Sequence, residues 1–142
     1  MMIRVQTQAF DPWQEVARHE VAQTWGGKIG AAAVFVGTMR DFNQGQGVAA
    51  MTLEHYPGMT EAYLGRISAE ARHRWSLLDT LIVHRVGPLT PGEPIVLVAV
   101  WSAHREAAFA ACRYLIDELK ARAPFWKQEQ TAAGARWVTP EG

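Results

Sequence analysis

The sequence is poor in cysteine and lysine and has no long hydrophobic run. Its single cysteine, Cys112, excludes an intramolecular disulfide and a cysteine-rich metal site. No apolar stretch approaches the roughly 18 residues of a membrane-spanning helix, and the opening MMIRVQTQAF lacks the apolar core of a signal peptide. The 14 basic and 14 acidic residues cancel, which argues against a general nucleic-acid binder because phosphate neutralisation needs surplus cations. We expect a soluble, cytoplasmic protein.

The rest of the composition is typical of one globular domain of the α+β class. The 142 residues, 49% of them hydrophobic, can form a substantial core and contain no repeat or linker, so we predict a single domain over 1–142. Strand-like segments outnumber helix-like ones, and short turns join several of them. This pattern favours a mixed or antiparallel sheet with about three helices. Uninterrupted apolar runs at 31–36 and 95–101 predict strands that are buried on both faces.

Three segments have the periodicity of helices. Asp11, followed by a proline, is expected to cap a helix that runs to about Trp25. A second helix is predicted to end at Trp75, and Ser102 is predicted to cap a third helix that ends at about Arg122, before a proline. A terminal hairpin that turns near residue 134 completes the predicted fold.

The scarcity of lysine makes the lysines candidates for chemistry. The chain has eleven arginines and three lysines. An ammonium group can act as a base or a nucleophile when burial lowers its pKa, whereas a guanidinium group cannot. Lys120 closes the third helix and Lys127 follows the proline that stops it, so both ammonium groups could face one pocket walled by aromatic rings. Alternatively, both are solvated surface residues.

Other cations lie where an anion could bind. His104 and Arg105 open the third helix, whose free N–H groups and positive dipole end suit a phosphate. Arg40 stands where a buried strand gives way to a glycine-rich loop, a common position for a ligand-binding side chain. The alternatives are that the helix start binds no ligand and that Arg40 forms an ion pair with Asp41.

The spacing of these candidates restricts how they can be used. His104 and Lys120 are sixteen residues apart on one helix, which is roughly 24 Å. No small substrate touches both within one subunit. Either the chain has two separate sites, or a two-fold dimer brings the helix start of one subunit beside the helix end of the other.

The remaining reactive residues form no recognisable catalytic or metal-binding motif. The other histidines do not repeat at the spacing of metal ligands, so we expect no metal and no resident cofactor; they are His19, His55, His73 and His84. Cys112 neighbours the apolar stripe of the third helix and is interpreted as a core residue. The sequence contains no nucleophile-elbow, phosphate-loop or dinucleotide-binding motif.

Several of these segments resemble the large, catalytic subunit of molybdopterin synthase, the MoaE family. The matching segments occur in the family's order and cover about residues 30 to 138. They are Gly37 with Arg40, LEHYPGM at 53–59, HRVG at 84–87, SAHR at 102–105, RAPFWK at 122–127 and RWV at 136–138. Long literal matches of this kind are more specific than a single short motif.

The resemblance implies an α+β fold of the α/β-hammerhead type and a sulfurtransferase activity. Members convert cyclic pyranopterin monophosphate into the dithiolene of molybdopterin. The sulfur comes from the thiocarboxylated C-terminal glycine of a small ubiquitin-like subunit, whose Gly-Gly tail enters the large subunit. The large subunit forms a homodimer within a heterotetramer. A non-catalytic scaffold that binds a ubiquitin-like tail or a phosphorylated metabolite is the alternative.

The resemblance also implies roles for individual residues. Lys120 and Lys127 correspond to the catalytic lysines. The positions that correspond to substrate-binding segments are Thr38, Met39, Arg40, His104, Arg105, Gln128 and Glu129. Thr38 stands where some members have lysine, so it is expected to contribute a hydroxyl group.

Overall fold

The computed structural model describes residues 1–138, which form nine strands and three α-helices in chain order. The strands are β1 (Met2–Gln6), β2 (Ala31–Thr38), β3 (Phe42–Asn43), β4 (Gln46–His55), β5 (Asp79–Arg85), β6 (Gly87–Leu89), β7 (Pro94–Ser102), β8 (Phe125–Thr131) and β9 (Gly134–Val138). The helices are α1 (Pro12–Val21), α2 (Met59–Trp75) and α3 (Arg105–Arg122), and a 3₁₀ turn spans Gly26–Lys28. Within residues 1–138, no helix is long and apolar enough to cross a membrane.

One sheet contains four strands in the order β1-β5-β7-β2. β1 runs parallel to β5 and the other pairs are antiparallel, so the sheet is mixed. Its central strand is buried on both faces: in β7, Val98 and Val100 pack with α2 and α3, whereas Leu97 and Trp101 pack on the side of α1. This double burial explains why β7 is an uninterrupted apolar run.

The second sheet is antiparallel, with the order β3-β4-β8-β9 and β6 paired to β4. The chain passes from the first sheet to the second at Val86, between β5 and β6. The β8–β9 hairpin turns at Gly134, whose φ of 108° favours glycine. The predicted α+β class, its mixed and antiparallel strands and the terminal hairpin are therefore confirmed.

The first helix is shorter than predicted. Asp11 caps it as expected, since its Oδ1 accepts hydrogen bonds from the backbone N–H groups of Trp13 and Gln14. The helix ends at Val21, however, and the prediction that it continues to Trp25 is wrong. The Trp25 ring instead lies 5.2 Å from the Trp101 ring, so tertiary packing takes this residue out of the helix.

The third helix begins later than predicted. Ser102 is the last residue of β7 and pairs with Ala31, so it is not the N-cap. His104 holds that position, and its backbone N–H donates to Ser102 Oγ at 3.3 Å. Strand pairing therefore extends β7 past the predicted cap, and Arg105 becomes the first helical residue.

Candidate functional site

A cavity of about 290 Å³ opens where the end of β2, the end of α3 and strand β8 meet. Six of the residues singled out from the sequence line it: Thr38, Met39, Arg40, Lys120, Lys127 and Glu129. Phe42 and Phe125 add aromatic rings to its walls. Three separate segments thus bring Arg40 to the same cavity as the two lysines, for which the sequence left a shared pocket open.

Lys120 is positioned by the last turn of α3, where a cation is favourable beside the negative dipole end. Its neighbour Leu119 is buried in the core and anchors that turn. Although the Lys120 side chain is exposed, its Nζ lies 5.9 Å from the centre of the Phe35 ring on β2. This distance suits a cation–π contact, which holds the ammonium group over the strand at the cavity.

Lys127 reaches the cavity because side chains alternate along β8. Successive residues of a strand point to opposite faces. Phe125, Lys127 and Glu129 share one face and all line the cavity. Gln128 projects from the other face and is not among the residues that line the cavity, so its expected substrate contact stays a prediction.

Glu129 is a buried carboxylate, and both of its oxygens already accept hydrogen bonds. Asn43 Nδ2 donates to Oε2 at 3.0 Å, and Arg136 donates to Oε1 from Nε at 3.1 Å and from Nη2 at 3.0 Å. Arg136 Nη2 also donates to the carbonyl oxygen of Asn43 at 2.7 Å. These bonds tie β3 to the β8–β9 hairpin, so Glu129 holds the cavity wall together.

The segment that follows β2 carries Arg40 to the cavity rim. A bulge lies between Gly37 and Thr38. Met39 is buried, and its backbone N–H donates to the carbonyl oxygen of Glu93 at 3.0 Å. Its neighbours Thr38 and Arg40 are exposed. Among residues 1–138 the Arg40 guanidinium forms no ion pair, so a ligand anion can approach it.

His104 and Arg105 do not lie in this cavity. They line a second, more open depression at the start of α3, together with Gly30, Ala103 and Glu106. A Cβ atom at Gly30 would collide with the backbone oxygen of Ala103, so glycine is needed for this close approach. The two sets of candidate cations therefore lie at opposite ends of α3, as the helix length predicts.

Comparison of the chain with known proteins identifies its family. The family model described as "MoaE protein" matches residues 5–122 of the chain. The chain belongs to the MoaE family. The match includes the N-terminal region, which the sequence segments quoted above did not cover.

Three proteins that are similar to this MoaE chain align with it over at least nine tenths of their own length. A molybdopterin synthase catalytic subunit from Pseudomonas aeruginosa is 61% identical over 139 residues, which cover 97% of this chain and 90% of the relative. The solved structure of a molybdopterin biosynthesis MoaE protein from Burkholderia ambifaria is 52% identical, with a TM-score of 0.82, over 99% of this chain and 90% of that one. A molybdopterin synthase structure from Staphylococcus aureus is 32% identical, with a TM-score of 0.83, over 94% of each chain.

The sequence interpretation of this MoaE chain missed His84. This residue is 4% exposed and lines the cavity beside both lysines. Its ring stacks on Phe125 with centroids 3.9 Å apart. Burial lowers its pKa from 6.5 to about 4, and the nearby charges of Lys127 and His55 act in the same direction. The only sequence signal was its place in the HRVG segment.

Cys112 is the core residue that the sequence predicted in this family member. It is buried in α3, with its Sγ 3.9 Å from the carbonyl oxygen of Val98. Burial raises the pKa of the Cys112 thiol to about 11, so the thiolate that a nucleophile requires is disfavoured. Within residues 1–138, no group of three His, Cys, Asp or Glu side chains is arranged to hold a metal.

Proposed function

We propose that this MoaE-family chain is the catalytic subunit of a molybdopterin synthase. It transfers sulfur from the thiocarboxylated C-terminus of a small ubiquitin-like subunit to cyclic pyranopterin monophosphate and forms the molybdopterin dithiolene. The observation that carries the proposal is the convergence of Lys120, Lys127 and Arg40 on one cavity. The names of its close relatives support it, and their part in biosynthesis supports a cytoplasmic location.

The proposed reaction needs a sulfur donor from outside the chain, because the thiol of Cys112 is buried and protonated. For each sulfur, a C–S bond forms at a pterin carbon while a C–O bond at the same carbon breaks, and its oxygen leaves as hydroxide or as a phosphate oxygen. The acyl–S bond of the donor breaks as water adds to the acyl carbon, which leaves an ordinary carboxylate. Negative charge develops on the acyl oxygen during this exchange. Lys120 and Lys127 stabilise that charge from the cavity wall, where fixed cations are most effective.

Arg40 binds the negatively charged substrate at the cavity rim. Its guanidinium can donate two parallel hydrogen bonds to a phosphate. Thr38 and Met39 contribute a hydroxyl group and an apolar surface beside it. Holding the pterin in this way converts the encounter with the incoming peptide terminus into an oriented reaction.

His104 and Arg105 act, in this proposal, on the substrate of a second subunit. Strand β2 is an edge of its sheet among the described residues, and its eight residues (AAAVFVGT) carry no charge. Long apolar edges of this kind favour pairing with another chain. Two copies of β2 paired antiparallel about a two-fold axis would bring the Ala31 end of one strand beside the Thr38 end of the other. That arrangement sets the His104 depression of one subunit next to the Lys120 cavity of its partner.

A reconstituted assay tests the function. The purified chain is mixed with cyclic pyranopterin monophosphate and the thiocarboxylated small subunit, and the dithiolene product is measured. We expect product with the thiocarboxylate and none with the same subunit ending in an ordinary carboxylate. Binding of both ligands without product would instead identify a scaffold, and product from the ordinary carboxylate would indicate a different transfer reaction.

A further inference from the structure

The cavity contains the buried imidazole of His84, to which the proposed mechanism assigns no role. His84 lies at the end of β5, just before the chain crosses to the second sheet. Its 3.9 Å stacking on Phe125 fixes the plane of the ring. A buried polar side chain in a cavity wall normally has a hydrogen-bonding partner for each of its polar atoms.

The hydrogen bonds of His84 define its tautomer. Nδ1 lies 2.8 Å from the backbone carbonyl oxygen of Arg85, which can only accept, so Nδ1 carries the proton. The ring is neutral at physiological pH because burial lowers its pKa to about 4. Nε2 therefore has no proton and presents a lone pair as an acceptor.

The acceptor on Nε2 is open to the cavity. Among residues 1–138, no donor hydrogen-bonds to Nε2. Three side-chain polar atoms in residues 1–138 are fully enclosed and lack a partner, and His84 Nε2 is not one of them. Since Nε2 has no partner either, it must be in contact with the open space of the cavity. The cations that line the cavity together with His84 are Arg40, Lys120 and Lys127, which can only donate hydrogen bonds. Both Glu129 oxygens, in contrast, already have partners.

We propose that His84 is a specificity-determining residue whose Nε2 accepts a hydrogen bond from an N–H or O–H group of the ligand in the cavity. The proposal rests on the proposed function. Two ligands offer such a donor: the pterin substrate and the backbone amide of the peptide tail. His84 acts as a fixed acceptor and not as a general base, since a buried imidazole that resists protonation is a poor proton carrier at neutral pH.

Two substitutions separate the hydrogen bond from the packing. His84→Gln can keep both bonds, because its amide donates to the Arg85 carbonyl and its oxygen accepts in the cavity. His84→Phe keeps an aromatic ring against Phe125 and loses both bonds. The control is His73→Phe, at an exposed residue of α2 that does not line the cavity. Thermal unfolding of each variant is measured alongside activity.

We expect kcat/KM to fall by about tenfold or more in His84→Phe, because a ligand donor is left unpaired. His84→Gln should stay within about threefold of the parent chain, and so should His73→Phe. A higher KM for the pterin identifies the pterin as the donor, whereas a higher KM for the small subunit identifies its tail. Unchanged kcat/KM in a folded His84→Phe overturns the proposal, as does equal loss in His84→Phe and His84→Gln.

A second measurement is independent of turnover. The ¹⁵N chemical shift of His84 Nε2 is followed by NMR in the parent chain while either the pterin monophosphate or a peptide ending in Gly-Gly is added. An acceptor that gains a hydrogen bond shifts toward the protonated value, and we expect this with one of the two ligands. If neither ligand moves the signal, the proposal is wrong. If the parent chain shows the shift but makes no dithiolene, the proposed function fails while the assigned acceptor stands.

Discussion

Arg136 donates two hydrogen bonds to the same oxygen of Glu129, at 3.1 Å from Nε and at 3.0 Å from Nη2. The pair joins β9 to β8 at the cavity wall. Asn43 on β3 donates a further hydrogen bond to the other Glu129 oxygen. The side chain of Glu129 is only 7% exposed and that of Arg136 is 25% exposed. A partly buried pair of this kind is costly to break from one side because the remaining charge loses its partner.

Glu129→Ala should therefore lower the free energy of unfolding by about 2 kcal/mol, measured by urea denaturation. The KM for substrate should rise in the same variant because β3 is no longer tied to the hairpin. Glu54→Ala, which removes an exposed carboxylate from neighbouring strand β4, serves as the control and should change neither quantity. A Glu129→Ala protein as stable as the parent chain would contradict the assigned role.

Lys120→Ala and Lys127→Ala should each reduce kcat by more than about tenfold, or ~1.4 kcal/mol in barrier height. The reason is that each ammonium group stabilises charge that develops only during sulfur transfer. Lys28→Ala is the matched control, since Lys28 is an exposed lysine in the 3₁₀ turn. A loss smaller than tenfold for either cavity lysine would argue against a chemical role for it.

Mixed dimers test whether two subunits share one site. His104→Ala and Lys120→Ala chains are inactive alone in this proposal, but their heterodimer contains one intact composite site. Random mixing should therefore restore about a quarter of the parent activity. Arg40→Ala mixed with Lys120→Ala is the control, because both residues line the same cavity of one chain and no intact site can form. Equal recovery of activity in both mixtures, or no recovery in the first, would contradict a site shared between two subunits.

Acid should destabilise the fold through His84. Its pKa falls from 6.5 to about 4 on folding, so between those pH values the unfolded chain binds more protons than the folded one. The contribution of His84 to stability is complete above about pH 6.5 and declines as the pH drops toward 4. The total loss is about 3 kcal/mol at most. Urea unfolding between pH 4 and pH 8 measures this decline.

His84→Gln should flatten that pH dependence because the variant has no group that titrates at this position. His73→Gln removes a histidine from the exposed surface of α2 and should leave the dependence unchanged. An equally steep decline in His84→Gln would show that other groups are responsible.

Much of the fold could be predicted because its signals are local. The double-sided burial of β7 appears in the sequence as a continuous apolar run, and Asp11 caps α1 within three residues of itself. The contrast between arginine and lysine usage drew attention to the three lysines, and two of them, Lys120 and Lys127, line one cavity. The boundaries that were missed, at Trp25 and Ser102, are those where a distant ring or a paired strand overrides the local pattern.

The sequence by itself determined most of the helices and strands, which cations are available, and that one helix separates His104 from Lys120, because periodicity and residue chemistry are properties of the chain. Only the tertiary structure decided which side chains meet. The alternation along β8 turns Lys127 into the cavity and Gln128 away from it. The crossing between the sheets buries His84 beside the lysines. Both outcomes depend on contacts between segments that are distant in the chain.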